Sequence, residues 1–260
     1  MKNSMYSLST ATLFLIFAWS NLFSQTIEGG LVLYEQIIDY QLDGAYDDPR
    51  WDSYIENLPR QGKSYHLLSF TQKQSLYKAD DSKRAILSEQ LQTAIKKVNY
   101  SKTPAPKTKQ IFHNFEVQEQ MKQMEFMTRN FIVTSPLGAK PWKLTARKKK
   151  ILNYVCMGAD LTIGDETITA WFTPQIPIAA GPEQYYGLPG LILGLEKNEA
   201  IFLLATEINL APPEEGFQSK LDKGQKLSES EFLQLVKEKQ ASYLEDRKTM
   251  EKSSKKLKKY

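Results

Sequence analysis

The chain has 260 residues, 41% of them hydrophobic, and a formal net charge of +4. That is enough apolar content for one domain with its own core, and too little charge to argue for a nucleic-acid partner. The single cysteine, Cys156, excludes an intramolecular disulfide, so the fold must rest on packing.

Residues 1–24 read as a signal peptide. Lys2 supplies a positive start, Ala11 to Trp19 is an uncharged apolar run, and small residues precede Gln25. The run is shorter than the roughly 20 residues a membrane span needs, so no transmembrane segment is expected in the mature chain. No cysteine sits at this junction to carry a lipid. Export to the periplasm, cell envelope or extracellular space is the expectation.

Ile27 to Leu42 alternates apolar and polar residues and is expected to form a long first strand. Asp43 to Gly62, rich in Asp, Pro, Gly and Asn, reads as a loop or a short irregular insertion. Ser64–Phe70 and Gln74–Lys78 suit a hairpin. Ser82 to Val98 has helical spacing in Ile86, Leu87, Leu91, Ala94, Ile95 and Val98, with Ser82 as the expected cap. Thr103 to Pro106 stops any helix. From Gln110 to Val133 the pattern returns to β, and Ser135 to Gly138 is a turn.

Trp142–Thr145, Lys150–Thr162, Glu166–Phe172, Leu191–Glu196 and Ala200–Ile208 complete the set of short strands, with hairpin turns at Gly164-Asp165 and Lys197-Asn198-Glu199. Short strands separated by regular turns indicate an antiparallel sheet. Pro212 to Gly216 reads as a linker. Ser228 and Glu231 then form a capping box for a C-terminal helix, whose tail is crowded with lysines. The expected fold is therefore mainly β (α+β): a curved antiparallel sheet with one or two packed helices, including the C-terminal one. The expected organisation is a signal peptide at 1–24, a β-rich domain at 25–211, and a linker with C-terminal helix and tail at 212–260.

The most informative stretch is Gly187-Leu188-Pro189-Gly190-Leu191-Ile192. Glycine permits positive φ and close backbone approach, and proline fixes φ and removes a donor. Leu188, before the proline, is pushed to an extended conformation. The segment reads as a rigid structural turn feeding a strand near Leu191. With it come Asn153-Tyr154-Val155-Cys156, Ala170 to Pro177, Gly181-Pro182 and Tyr185-Tyr186. Further back lie Glu125-Phe126, Phe131 to Val133 and Trp142 to Leu144.

On these residues the chain resembles the GLPGLI family, exported proteins of Gram-negative bacteria without a settled biochemical function. The resemblance spans Leu31 to Glu196. Met157-Gly158-Ala159 departs from the family pattern, and Gly194 interrupts the closing strand. The resemblance implies export and a β-rich core, and it lends no catalytic residue.

Chemistry-bearing motifs are few. Only His66 and His113 are present as histidines, and neither a Gly-x-Ser-x-Gly elbow nor a His-Glu-x-x-His motif occurs. His66 reads as an ordinary strand residue. The acidic pairs Asp47-Asp48 and Asp80-Asp81 lie in polar loops. Cys156, between Val155 and Met157, reads as a buried, inert thiol.

Met121, Met124 and Met127 are soft thioethers at i, i+3 and i+6, and on a helix they could share a Cu(I) site. On a strand, residues three apart face opposite sides, and the flanking Phe126, Phe131, Ile132 and Val133 favour a strand. Packing methionines are the expected outcome. Trp142, Trp171, Tyr185 and Tyr186 are the candidate ligand-contact aromatics, with Trp171 and Phe172 on opposite faces of one strand. The reading that follows is a non-enzymatic binding or accessory protein of the cell envelope, linked to outer-membrane transport. It needs no cofactor, and a cell-envelope protein or an apolar ligand is its expected partner. A hydrolase without a recognisable motif and a Cu(I)-binding protein are the alternatives.

Overall fold

The computed structural model describes residues 27–213, 221 and 223–257. The signal-peptide segment and residues 214–216 of the expected linker lie outside them.

A single 12-stranded sheet dominates, with strands in the order β12-β6-β5-β4-β3-β2-β1-β11-β10-β9-β8-β7. The strands are β1 (Gly29–Asp39), β2 (Gln61–Thr71), β3 (Gln74–Ala79), β4 (Lys107–Asn114), β5 (Glu119–Phe126), β6 (Arg129–Pro136), β7 (Lys143–Ile151), β8 (Tyr154–Ile163), β9 (Glu166–Thr173), β10 (Leu191–Lys197), β11 (Ile201–Asn209) and β12 (Gln225–Ser228). Among the described residues three helices accompany them: α1 (Pro49–Glu56), α2 (Glu89–Ser101) and α3 (Glu229–Leu257). Every pairing is antiparallel except β12 on β6, which is parallel. The fold is mainly β with antiparallel pairing and a C-terminal helix, as expected, and β12 alone makes the open sheet mixed.

Several local expectations are corrected. The stretch 43–62 is not all loop, because Asp48 caps α1 by accepting from Arg50 N at 2.9 Å and Pro49 sits at its first position. Helix α2 starts six residues later than expected. Ser88, not Ser82, accepts from Leu91 N at 3.1 Å, while Ile86 instead bridges Lys63 in an extended stretch. The β-type stretch 110–133 divides into three strands, and 150–162 breaks at Leu152, whose φ of 53° turns β7 into β8. The capping box of α3 is present as expected, with Glu231 Oε2 accepting from Ser228 N at 2.8 Å and Ser228 Oγ accepting from Glu231 N at 3.3 Å.

One sheet face carries the main core. Val32, Tyr34, Leu68 and Phe70 on one side, and Ala159, Leu161, Ala170 and Phe172 on the other, are closed over by the connection 174–190 through Ile176, Ile178, Ala180 and Leu188. Beyond it, the first turns of α3 lay Phe232 and Val236 on Phe126, Phe131 and Val133 of the same sheet. Helices α1 and α2 pack mainly on each other through Trp51, Ile55, Leu91, Ala94 and Val98. The basic run Arg147 to Lys150 lies in β7, an edge of the sheet, where charged side chains oppose pairing with another chain. Among the described residues no helix is long and apolar enough to cross a membrane.

Candidate functional site

The connection 174–190 is where local sequence chemistry sets up the site. Its backbone is tied down from within: Leu191 N donates to Ile176 O at 2.9 Å, Ile192 N to Ala180 O at 3.1 Å, and Gly187 N to Ala179 O at 2.9 Å. Gly190 N donates to Leu188 O at 2.7 Å, closing a tight turn about Pro189. Gly187 has φ +88°, which favours glycine. At Gly190 a Cβ would stand 2.2 Å from the Thr173 carbonyl oxygen, so only glycine fits. From the sheet below, the fully buried Tyr34 Oη donates to Ile192 O at 2.5 Å.

Three of the four candidate aromatics, Trp142, Tyr185 and Tyr186, fasten this connection. Trp142 Nε1 donates to the Tyr186 carbonyl at 2.9 Å, and its ring lies 6.1 Å from that of Tyr185. Tyr186 Oη donates to Gly138 O at 2.7 Å, with its ring 4.9 Å from His113. Phe172 is in the core, and Trp171 lies on the opposite face. There Trp171 Nε1 donates to Glu196 Oε1 at 2.9 Å beneath the Arg147 and Lys149 cations. None of the four lines the cavity described next.

That cavity, of about 320 Å³, lies between the connection 174–190 and strands β1 to β5, and its wall includes Gln36, His66, Tyr77, Lys122, Glu183 and Gln184. Register brings the strand residues together: Gln36 pairs with Ser64, and Leu68 with Tyr77, so alternate residues of β1, β2 and β3 share this face. Glu183 enters from the connection in a left-handed backbone conformation, φ +54°. It forms an ion pair with Lys197 at 2.7 and 2.9 Å, and both side chains are largely buried.

A hydrogen-bonded chain leads away from Glu183. Gln36 Nε2 donates to Glu183 Oε1 at 3.5 Å, Ser64 Oγ donates to Gln36 Oε1 at 3.1 Å, and His66 Nε2 lies 3.0 Å from Ser64 Oγ. The His66 ring stacks on Tyr77, with centroids 5.2 Å apart and planes 3° from parallel. Burial lowers the His66 pKa, and burial with the nearby Glu183 charge raises that of Tyr77 well above the phenol range. His66 Nδ1 and Tyr77 Oη are buried and have no hydrogen-bond partner. A wall with unpaired polar atoms is suited to holding a ligand that supplies the missing partners.

A second polar group lies on the same face. His113 Nδ1 is 3.2 Å from Ser75 Oγ, His113 Nε2 is 3.0 Å from Gln120 Oε1, and Gln120 Nε2 donates to Ser135 Oγ at 3.3 Å. Burial pushes the His113 pKa down to about 4. This network is internally satisfied. Cys156 is fully buried and burial pushes its thiol up to about 11, a protonated and unreactive state.

The methionines do not converge. Met121 and Met124 both lie in β5, three residues apart and on opposite faces, Met121 against Leu76, Phe112 and Ile132, and Met124 beside Phe131 and Phe232. Met127 lies in the β5–β6 turn with φ +46°. His66, Tyr77, Glu183 and Lys122 are the site residues that sequence reasoning missed. Of these only Glu183 stands near a recognisable signal, the Gly181-Pro182 and Tyr185-Tyr186 pairs on either side of it.

No curated protein matches the chain. Several solved structures share its fold, among them two of PNGF-II. The first, titled "Structure of PNGF-II in P21 space group", is 16% identical with a TM-score of 0.52 over 82% of this chain and 34% of that one. The second, titled "Structure of PNGF-II in C2 space group", is 13% identical with a TM-score of 0.53 over 82% of this chain and 33% of that one. The chain thus spans about a third of those proteins, and at such identity the likeness concerns fold alone. Residues 161–194, from the end of β8 through the whole connection into β10, match a family model described as "Protein of unknown function (Porph_ging)", so the matched span contains both the Gly-Leu-Pro-Gly turn and Glu183.

Proposed function

We propose that the chain is a non-enzymatic binding protein of the cell envelope that holds a small polar ligand between its sheet and the connection 174–190. One observation carries the reading: the two side-chain polar atoms that are buried without a partner among the described residues, His66 Nδ1 and Tyr77 Oη, belong to residues that line a cavity of about 320 Å³. Leaving a buried polar atom unpaired costs about 1–3 kcal/mol, and a ligand that pairs it recovers that cost. A cavity of this size is at the small end of ligand pockets. Most of the residues that line it carry polar groups, which favours a ligand with polar groups of its own over the purely apolar one expected from the sequence. The hexapeptide at 187–192 lies inside the matched span and supports kinship with the GLPGLI proteins. Export rests on the apolar run 11–19 behind Lys2.

Native mass spectrometry of the full-length protein purified from its own cell envelope tests both parts. The expected result is a chain beginning near Gln25 that carries a small co-purified molecule, lost in a Glu183→Gln variant. Intact Met1 on the mature protein overturns export. An empty pocket together with hydrolytic turnover of envelope material, lost in His66→Gln, overturns binding in favour of a hydrolase.

A further inference from the structure

The hydrogen-bonded chain running to Glu183 fixes what the pocket asks of its ligand. Gln36 is oriented by donating its amide to Glu183 Oε1, so its Oε1 must accept from Ser64. The one proton of Ser64 Oγ is then committed, and Ser64 can only accept from His66 Nε2. In neutral His66 that leaves Nδ1 as a bare acceptor, and Nδ1 has no partner. The missing partner is an O–H or N–H.

The charges of the wall are unevenly met. Glu183 is neutralised by two close contacts from Lys197, and Lys109 is paired with Glu125 at 2.8 Å. Lys122, 18% exposed, has only the Gln184 side-chain oxygen at 3.3 Å and a loose Glu229 contact at 3.8 Å. Among the described residues it is the pocket cation with the weakest countercharge, and the stacked His66–Tyr77 rings line the same cavity.

We propose that the pocket takes a small carboxylate bearing a hydroxyl or amino group, with the O–H or N–H donated to His66 Nδ1 and the carboxylate set against Lys122. This rests on the binding reading above.

Calorimetric titration of the full-length protein with lactate, alanine, propionate and 1,2-propanediol tests the class. Lactate or alanine should bind saturably, and the two together tell hydroxyl from amine. Propionate lacks the donor and leaves the buried His66 Nδ1 unpaired, and propanediol lacks the carboxylate and its charge-assisted bond to Lys122, so each should bind about tenfold or more weakly. Lys122→Met should weaken lactate or alanine about tenfold while leaving the affinity for propanediol unchanged. His66→Phe keeps the stacked ring and removes the acceptor, and should erase the advantage of lactate or alanine over propionate. Both variants should keep the wild-type circular dichroism spectrum, which separates lost binding from lost folding. If propanediol equals lactate and Lys122→Met changes nothing, the ligand class is wrong while the pocket stands. If none of the four binds and both variants melt above wild type, the pocket is a packing defect and the binding reading falls with the ligand class.

Discussion

Gly190 sits so close to Thr173 that a Cβ on it would be 2.2 Å from the Thr173 carbonyl oxygen and 2.6 Å from the carbonyl carbon. These are backbone atoms at the end of β9, and they cannot swing aside as a side chain can. Gly187, three residues earlier, has open space around it and only its φ of +88° to favour glycine. The two glycines of the turn are therefore unequal. Gly190→Ala should cost roughly 3 kcal/mol or more, as expected where a backbone clash must be relieved. Gly187→Ala should cost about 1–2 kcal/mol, for the left-handed conformation alone. Urea denaturation of both variants checks the order, and equal losses would show that close packing on Thr173 is not what holds the turn.

His113 makes stability depend on pH. Its pKa falls from 6.5 in the unfolded chain to about 4 in the fold because burial among Ser75, Gln120 and Tyr186, with Lys122 and Lys140 nearby, disfavours the charged ring. The unfolded chain binds more protons between these values, so this contribution is complete above about pH 6.5 and is lost as pH falls toward 4. The loss should be roughly 3 kcal/mol between about pH 7.5 and about pH 4. His66, also lowered by burial, acts in the same direction. Urea melts of wild type and His113→Asn at the two pH values isolate the effect, since the variant lacks the titrating ring. Parallel pH profiles for the two proteins would rule it out.

The start of α2 can be located energetically. Ser88→Ala removes the acceptor for Leu91 N and should cost about 1 kcal/mol. Ser82→Ala removes only an exposed hydroxyl that donates to Asp80, and should cost less than about 0.5 kcal/mol. Thermal melts of the two variants, with Ser82→Ala the more destabilised, would place the cap where the periodicity of Ile86 and Leu87 suggested.

Met121→Leu and Met124→Leu nearly conserve volume at two separate packing sites, against Phe112 and against Phe131. Each should cost less than about 1.5 kcal/mol, and the double variant should equal the sum within about 0.5 kcal/mol. Chemical denaturation of the set measures this. A strongly non-additive pair would mean that the two side chains meet after all.

What the sequence discloses follows the range of the interactions involved. The Gly-Leu-Pro-Gly turn is legible because each residue's backbone preference is local, and the Ser228–Glu231 cap because its partners are three residues apart. Helix α1 is hidden because eight residues show barely two turns of pattern, and only Asp48-Pro49 marks it. Strand β12 is hidden because four residues of Gln-Lys-Leu-Ser become a strand by pairing with Phe131 to Thr134. The pocket is the least legible part. His66, Tyr77 and Glu183 look ordinary in their own segments and acquire meaning only when strand register and a folded-back connection set them side by side.

The sheet order has a further consequence, for the time course of folding. β1 is the first strand of the described chain, yet it lies in the interior of the sheet, with Leu31 paired on one side to Ser69 and on the other to Asn209. During synthesis the β2 partner is in reach almost at once, but the β11 partner is made only after eight more strands have been completed. Until then the hydrogen-bonding edge of β1 is open beside Val32 and Tyr34. Such late long-range closure makes for slow folding and leaves a sticky intermediate. A chain cut short of Ile201 should therefore aggregate, whereas one cut after Pro213 keeps every strand of the main-core half of the sheet and leaves only β12 and α3 unmade.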